Sequence, residues 1–136
     1  MNEILTYLFN LALENHIAVE ATNKLQPHTP SLAISDQRKI IINMNWYNQK
    51  ELPFQIAHEI SHLLNNDEGV QYYSSFSNKM ELEGNANATA IDLLINYYCK
   101  MISDEWINPV TFMKHFGIPS NLEYLVTDKI YNAFGI

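Results

Sequence analysis

Ile56-Ala57-His58-Glu59-Ile60-Ser61-His62-Leu63-Leu64 decides how the rest of the chain is read, because it carries two patterns at once. The first is a packing stripe. With Ile56 at zero and about 100° per residue, Ile60, Leu63 and Leu64 cluster within about 80° of it, which predicts a helix from Glu51 to Asn65 with Pro53 in its first turn. The second is chemical. His58 and His62 fall at about 200° and 240° on the same wheel, off the apolar stripe, with Glu59 beside them. Two histidines at i and i+4 of one helix can reach a single metal ion, and H-E-x-x-H is the spacing that zinc chemistry uses. The opposing possibility is a pair of solvated histidines on an amphipathic helix.

Upstream, Lys39-Ile40-Ile41-Ile42-Asn43 is β-branched and compact. Together with Leu32-Ala33-Ile34 and the break at Asp36-Gln37-Arg38, it predicts a β-hairpin over 32–43 whose second strand is covered on both faces. Ile17-Ala18-Val19 predicts a further strand, separated from the hairpin by an extended loop holding Pro27 and Pro30. Ile4, Leu5, Leu8, Phe9, Ala12 and Leu13 repeat at helical spacing, so residues 3–15 read as an amphipathic helix.

Downstream, Asn65 to Ser77 reads as a loop in which Tyr72, Tyr73 and Phe76 are either a cleft lip or loop anchors. Lys79 to Ile102 is a long helical run with apolar Met80, Ile91, Leu94, Tyr98 and Met101. Asn108-Pro109 opens another helix that Gly117 closes, and Ser120-Asn121-Leu122-Glu123 reads as a capping box for a last helix ending near Ala133. The predicted fold is α+β: a small β-sheet, a hairpin plus one strand, packed with four or five helices in a single domain over 1–136.

Composition narrows the partners. The chain has 136 residues, 47% hydrophobic, enough for one core, and a formal net charge of −7. Arg38 is its only arginine, so no basic stripe exists to neutralise nucleic acid or an anionic membrane. The lone Cys99 suits a reducing compartment and reads as structural, not as a nucleophile. Met1-Asn2-Glu3 lacks the positive charge of a signal peptide, and no apolar run approaches the roughly 20 residues of a membrane span. The expected compartment is the cytoplasm, where the sequon Asn87-Ala88-Thr89 has no meaning.

A catalytic zinc site needs a third protein ligand and an open position for water. Glu81 and Glu83 compete. With Glu83 at zero, Asn87, Ala90, Leu94 and Met101 lie within about 40° of it, whereas Glu81 lies at about 160° beside Asp92. A carboxylate on a buried stripe is costly unless paired or bound to metal, so Glu83 is the predicted ligand, and Asn87, one turn on, a group bracing a ligand. The helix dipole would favour either glutamate equally. His16, His28 and His115 lie outside any ligand spacing.

From Lys39 through Leu64, and again from Glu83-Gly84-Asn85-Ala86-Asn87 through Leu94, the chain resembles the ImmA/IrrE-type metallopeptidase family, over about residues 1–95. Ser61 stands where that family commonly has glycine, and Gly84-Asn85 replaces a more helix-favouring pair. The resemblance implies a zinc ion (Zn2+) held by His58, His62 and Glu83, with Glu59 as the catalytic residue. Zinc so held would lower the pKa of a water and polarise a scissile carbonyl. Glu59 would take the water's proton and pass it to the leaving amine. Tyr72, Tyr73 and His115 are candidates for stabilising the oxyanion, and the Ile40 to Ile42 strand is either an open edge for an extended peptide or a core strand. The implied substrate is a protein, a phage- or mobile-element-type repressor, often of helix-turn-helix type. The competing function is a zinc-bearing regulator that binds such a protein without cutting it. A purely structural zinc is disfavoured, because only three good ligands are present and closed sites use four. The helices over about 108–133, beyond the resemblance, would serve partner recognition.

Overall fold

Ile40, Ile41 and Ile42 set three β-branched side chains in a row, and their segment is the middle strand of a mixed three-stranded sheet. The computed structural model describes residues 2–66 and 76–136, the side chains of 76–78 excepted. Along the chain lie α1 (Glu3–Glu14), β1 (Ala18–Thr22), β2 (Leu32–Ile34), β3 (Lys39–Asn43), α2 (Leu52–Leu64), α3 (Phe76–Met101), α4 (Pro109–Phe116) and α5 (Glu123–Ala133). β1 runs parallel to β3 with Val19 opposite Ile40, and β2 runs antiparallel to it with Leu32 opposite Ile41. The hairpin, the separate strand and the α+β class are as the periods predict.

β3 is not an edge. It is hydrogen-bonded on both sides, and among the described residues the sheet's edges are β1 and β2, so the open-edge reading of Ile40 to Ile42 is replaced by the core-strand one. Its two faces also differ. Ile40 and Ile42 are completely buried, in one core with Leu8, Ile17, Ile56 and Ile60, while Lys39 and Ile41 are half-buried because alternate side chains leave the pleat on the other face.

Two side chains that the sequence pattern passes over hold the sheet to its surroundings. Asn43, fully buried, donates from Nδ2 to the carbonyls of Gln26 (2.8 Å) and Thr29 (2.7 Å) and accepts from the Asn45 amide (2.9 Å). It thereby ties down the proline-bearing connection between β1 and β2. Arg38 donates from Nε (3.2 Å) and Nη2 (3.0 Å) to the carbonyl of Asn15 and from Nη1 (3.3 Å) to that of Leu63. One guanidinium thus closes the carbonyl ends of both α1 and α2, where a cation is also favoured by the helix dipoles.

The helix ends follow their caps, with one exception. Asn2 accepts from the Ile4 amide, and Asn108 accepts from Val110 and Thr111 ahead of Pro109. Ser120 forms no capping box. After Pro119 the chain enters α5 through a 3-10 turn at Ser120–Leu122, so Ser120 lies within that turn and makes no cap bond. α3 begins at Phe76, three residues earlier than its apolar period suggests, and Tyr72 and Tyr73 lie outside the described residues. Ile91, Leu94 and Tyr98 are buried, but Met80 and Met101 are 58% and 59% exposed. A 26-residue helix is about 39 Å long, twice the length of α2, and its ends run past the layer that covers its middle.

Gly117 ends α4 with a φ of 70°. A Cβ there would overlap the carbonyl oxygen of Lys50, where the chain turns into α2. Both the left-handed backbone and the close approach require glycine. Gly117→Ala is expected to destabilise the fold by about 1–3 kcal/mol, read as a lower midpoint in urea. A midpoint equal to that of the wild type would show that the α4 end does not pack on Lys50.

Candidate metal centre

α2 lies along α3, and this packing converts the off-stripe position of the histidines into a buried one. His58 and His62 are only 9% and 8% exposed, because α3 covers the face of α2 that the sheet and α1 do not. From α3, Glu83 reaches between them. Its Oε2 lies 2.9 Å from His58 Nε2, its Oε1 lies 3.0 Å from His62 Nε2, and the two Nε2 atoms are 3.2 Å apart. Glu81 is exposed, as its place on the wheel predicts.

The donor set fits a zinc ion. Tetrahedral zinc with ligands at about 2.0–2.2 Å holds its donors about 3.3–3.5 Å apart, within a few tenths of an ångström of the three separations found here. Two Nε2 atoms facing one another leave room for one proton between them, whereas a cation satisfies both lone pairs. The Glu83 side chain remains 42% exposed, so the triangle has an open side. Such an opening is what distinguishes a catalytic zinc site from a closed structural one.

Electrostatics single out the fourth residue. Burial pushes the Glu59 carboxyl up to about 7, with His58 and His62 pulling it down and Glu83 raising it further. Glu59 therefore stands within the field of all three converging groups. Glu83 is displaced the other way: hydrogen bonds from His58 and His62 hold its carboxyl well below the usual carboxylate range, against the effect of burial.

Other sequence candidates lie elsewhere. Asn87 is half-buried and makes no side-chain hydrogen bond among the described residues, so it does not brace a ligand as expected. His115 is exposed on α4 against Phe116, His28 is exposed and lies against Tyr47 at 4.4 Å, and His16 is exposed at positive φ. Cys99 is exposed and free near the end of α3. Ser61 is fully buried, and its hydroxyl is satisfied by donating 2.7 Å to the Ala57 carbonyl one turn back. Gly84 is exposed, and a Cβ there would meet nothing within 4 Å. Since glycine inside a helix is about 1 kcal/mol worse than alanine, Gly84→Ala should raise stability by about 0.5–1 kcal/mol. A thermal melt that fails to rise would assign this glycine a role beyond its own conformational cost.

The pattern of the Peptidase_M78 family, the IrrE N-terminal-like domain, matches residues 15–118. The chain belongs to this family. Comparison with curated proteins and with solved structures found no match. The IrrE-like span reaches from just before β1 through α4, so it holds the sheet, both site helices and all four site residues. It extends past residue 95, beyond the motifs that carry the resemblance, while α1 and α5 fall outside it. This IrrE-like chain is thus of a peptidase family and carries a group able to hold a metal. Among its described residues no helix is long and apolar enough to cross a membrane.

Proposed function

We propose that the chain is a zinc-dependent endopeptidase that acts in the cytoplasm on a transcriptional repressor of phage or mobile-element type. The observation that carries this reading is the convergence of His58 Nε2, His62 Nε2 and the Glu83 carboxylate, with the Glu59 carboxyl in their field. Zinc held there would supply an acidified water and a polarised carbonyl. Glu59 would accept the water's proton and deliver it to the amine as the peptide bond breaks. His58, His62 and Glu83 would orient the ion from two different helices, leaving the solvent side of Glu83 open to substrate. The free edge of β2 supports a protein substrate: Ser31, next to β2, touches Gln55, one turn before Glu59, at 3.5 Å. An extended segment pairing with β2 would therefore run beside the helix face that carries Glu59.

The test co-expresses the wild type or Glu59→Gln with a repressor encoded beside this chain. The proposed activity shortens the repressor and raises transcription under its control with the wild type alone. Equal derepression by both proteins, with the repressor intact, would overturn the endopeptidase and leave a regulator that binds without cutting.

A further inference from the structure

We propose that Phe54 is a positioning residue for the metal, holding the His58 imidazole in place by ring packing where a hydrogen bond would ordinarily do so; the inference rests on the zinc reading above. A histidine that binds metal through Nε2 carries its proton on Nδ1, and that N–H usually donates to a carboxylate or carbonyl that fixes the ring. Among the described residues His58 has no such partner: its Nδ1 is buried and makes no hydrogen bond to them. The two nearby polar side chains that the helix spacing would offer are both uninvolved: Asn87 makes no side-chain hydrogen bond among the described residues, and the Ser61 hydroxyl is committed to the Ala57 carbonyl.

Phe54 takes the place of that brace. It lies one turn before His58, at i, i+4, where side chains of one helix meet. It is 7% exposed, and its ring centroid is 5.9 Å from that of His58 at an interplanar angle of 39°. On the other side the His58 ring meets His62, centroid to centroid 4.7 Å and nearly perpendicular. The imidazole is thus enclosed between a phenyl ring and its fellow ligand, and rotation about its own axis is opposed by contact on both sides. Removing the phenyl ring frees that rotation while every donor atom remains present.

The probe is cobalt(II), whose visible absorption reports ligand geometry, followed by zinc competition. Phe54→Leu should bind both ions more weakly by about 10–100-fold, the usual effect of losing a ligand's support, with shifted cobalt bands. Phe54→Tyr, which keeps the ring, should restore both. Ile56→Val trims a fully buried side chain of the same helix and should lower the melting temperature with metal affinity unchanged. Wild-type affinity and bands in Phe54→Leu, or equal loosening in Ile56→Val, would overturn the proposal and leave the zinc reading standing. Should Phe54→Leu fail to fold, NMR of the zinc-loaded wild type decides: a strongly downfield, hydrogen-bonded His58 Nδ1–H overturns it, and an unbonded one supports it. A wild-type chain that takes up no cobalt and no zinc overturns both readings together.

Discussion

Glu59→Gln is expected to retain one zinc per chain and the wild-type fold while peptide hydrolysis falls by about 10^2–10^4-fold. The amide keeps the shape of the carboxyl but cannot take a proton, and Glu59 is not among the three donors that converge. Metal content and kcat/KM therefore separate cleanly. The pH dependence has a definite sign. Burial raises the carboxyl to about 7 in the metal-free protein, and a cation beside it would pull that value down. Glu59 accepts a proton only when ionised, so wild-type hydrolysis should rise with pH up to a plateau below neutrality. Stability runs the opposite way. A carboxyl whose folded pKa is raised costs stability as pH climbs through the interval from its ordinary 4.5 to about 7, so metal-free Glu59→Gln should be at least as stable as the wild type at pH 7. Hydrolysis by Glu59→Gln within about tenfold of the wild type would remove Glu59 from the proton-carrying role.

The convergence of three side chains able to hold a metal was legible because it obeys helix geometry twice. His58 and His62 stand one turn apart, and Glu83 shares a wheel position with Ala90 and Leu94, both fully buried, so each face could be assigned before any packing was known. The isoleucine run marked a strand for the same reason, but not its neighbours. Strand order depends on β1 and β2 both pairing with β3, a non-local fact that a period of two does not encode, so the sequence left Ile40 to Ile42 open between an edge and a core strand. Asn87 failed differently. Its wheel position beside Glu83 is right, but an asparagine side chain is short, and sharing a face does not bring it within bonding distance of a ring on another helix. The bonds made by Arg38 and Asn43 were not readable, because their partners are backbone carbonyls of distant segments, which have no sequence signature at all.

Glu83→Gln tests the ligand assignment and the electrostatics of the empty triangle with one substitution. An amide oxygen is neutral and a poorer zinc ligand than a carboxylate, so zinc affinity should fall by more than about 100-fold, beyond what the loss of a supporting group usually costs. Glu81→Gln, two residues away on the exposed face, should bind zinc as the wild type does. The metal-free proteins should differ in acid. Hydrogen bonds from His58 and His62 depress the folded pKa of Glu83, so the stability this gives is present above the ordinary value of 4.5 and is lost as pH falls toward the lower folded value. Acid unfolding of the wild type should therefore steepen below about pH 4.5, and Glu83→Gln should show a shallower decline over the same interval. The difference will be modest, because a side chain 42% exposed is screened by solvent. Parallel acid profiles would mean that the imidazoles do not hold this carboxylate in solution. Loss of zinc by Glu81→Gln with retention by Glu83→Gln would reverse the assignment, and α3 would then have to turn by nearly half a revolution to bring Glu81 between the histidines.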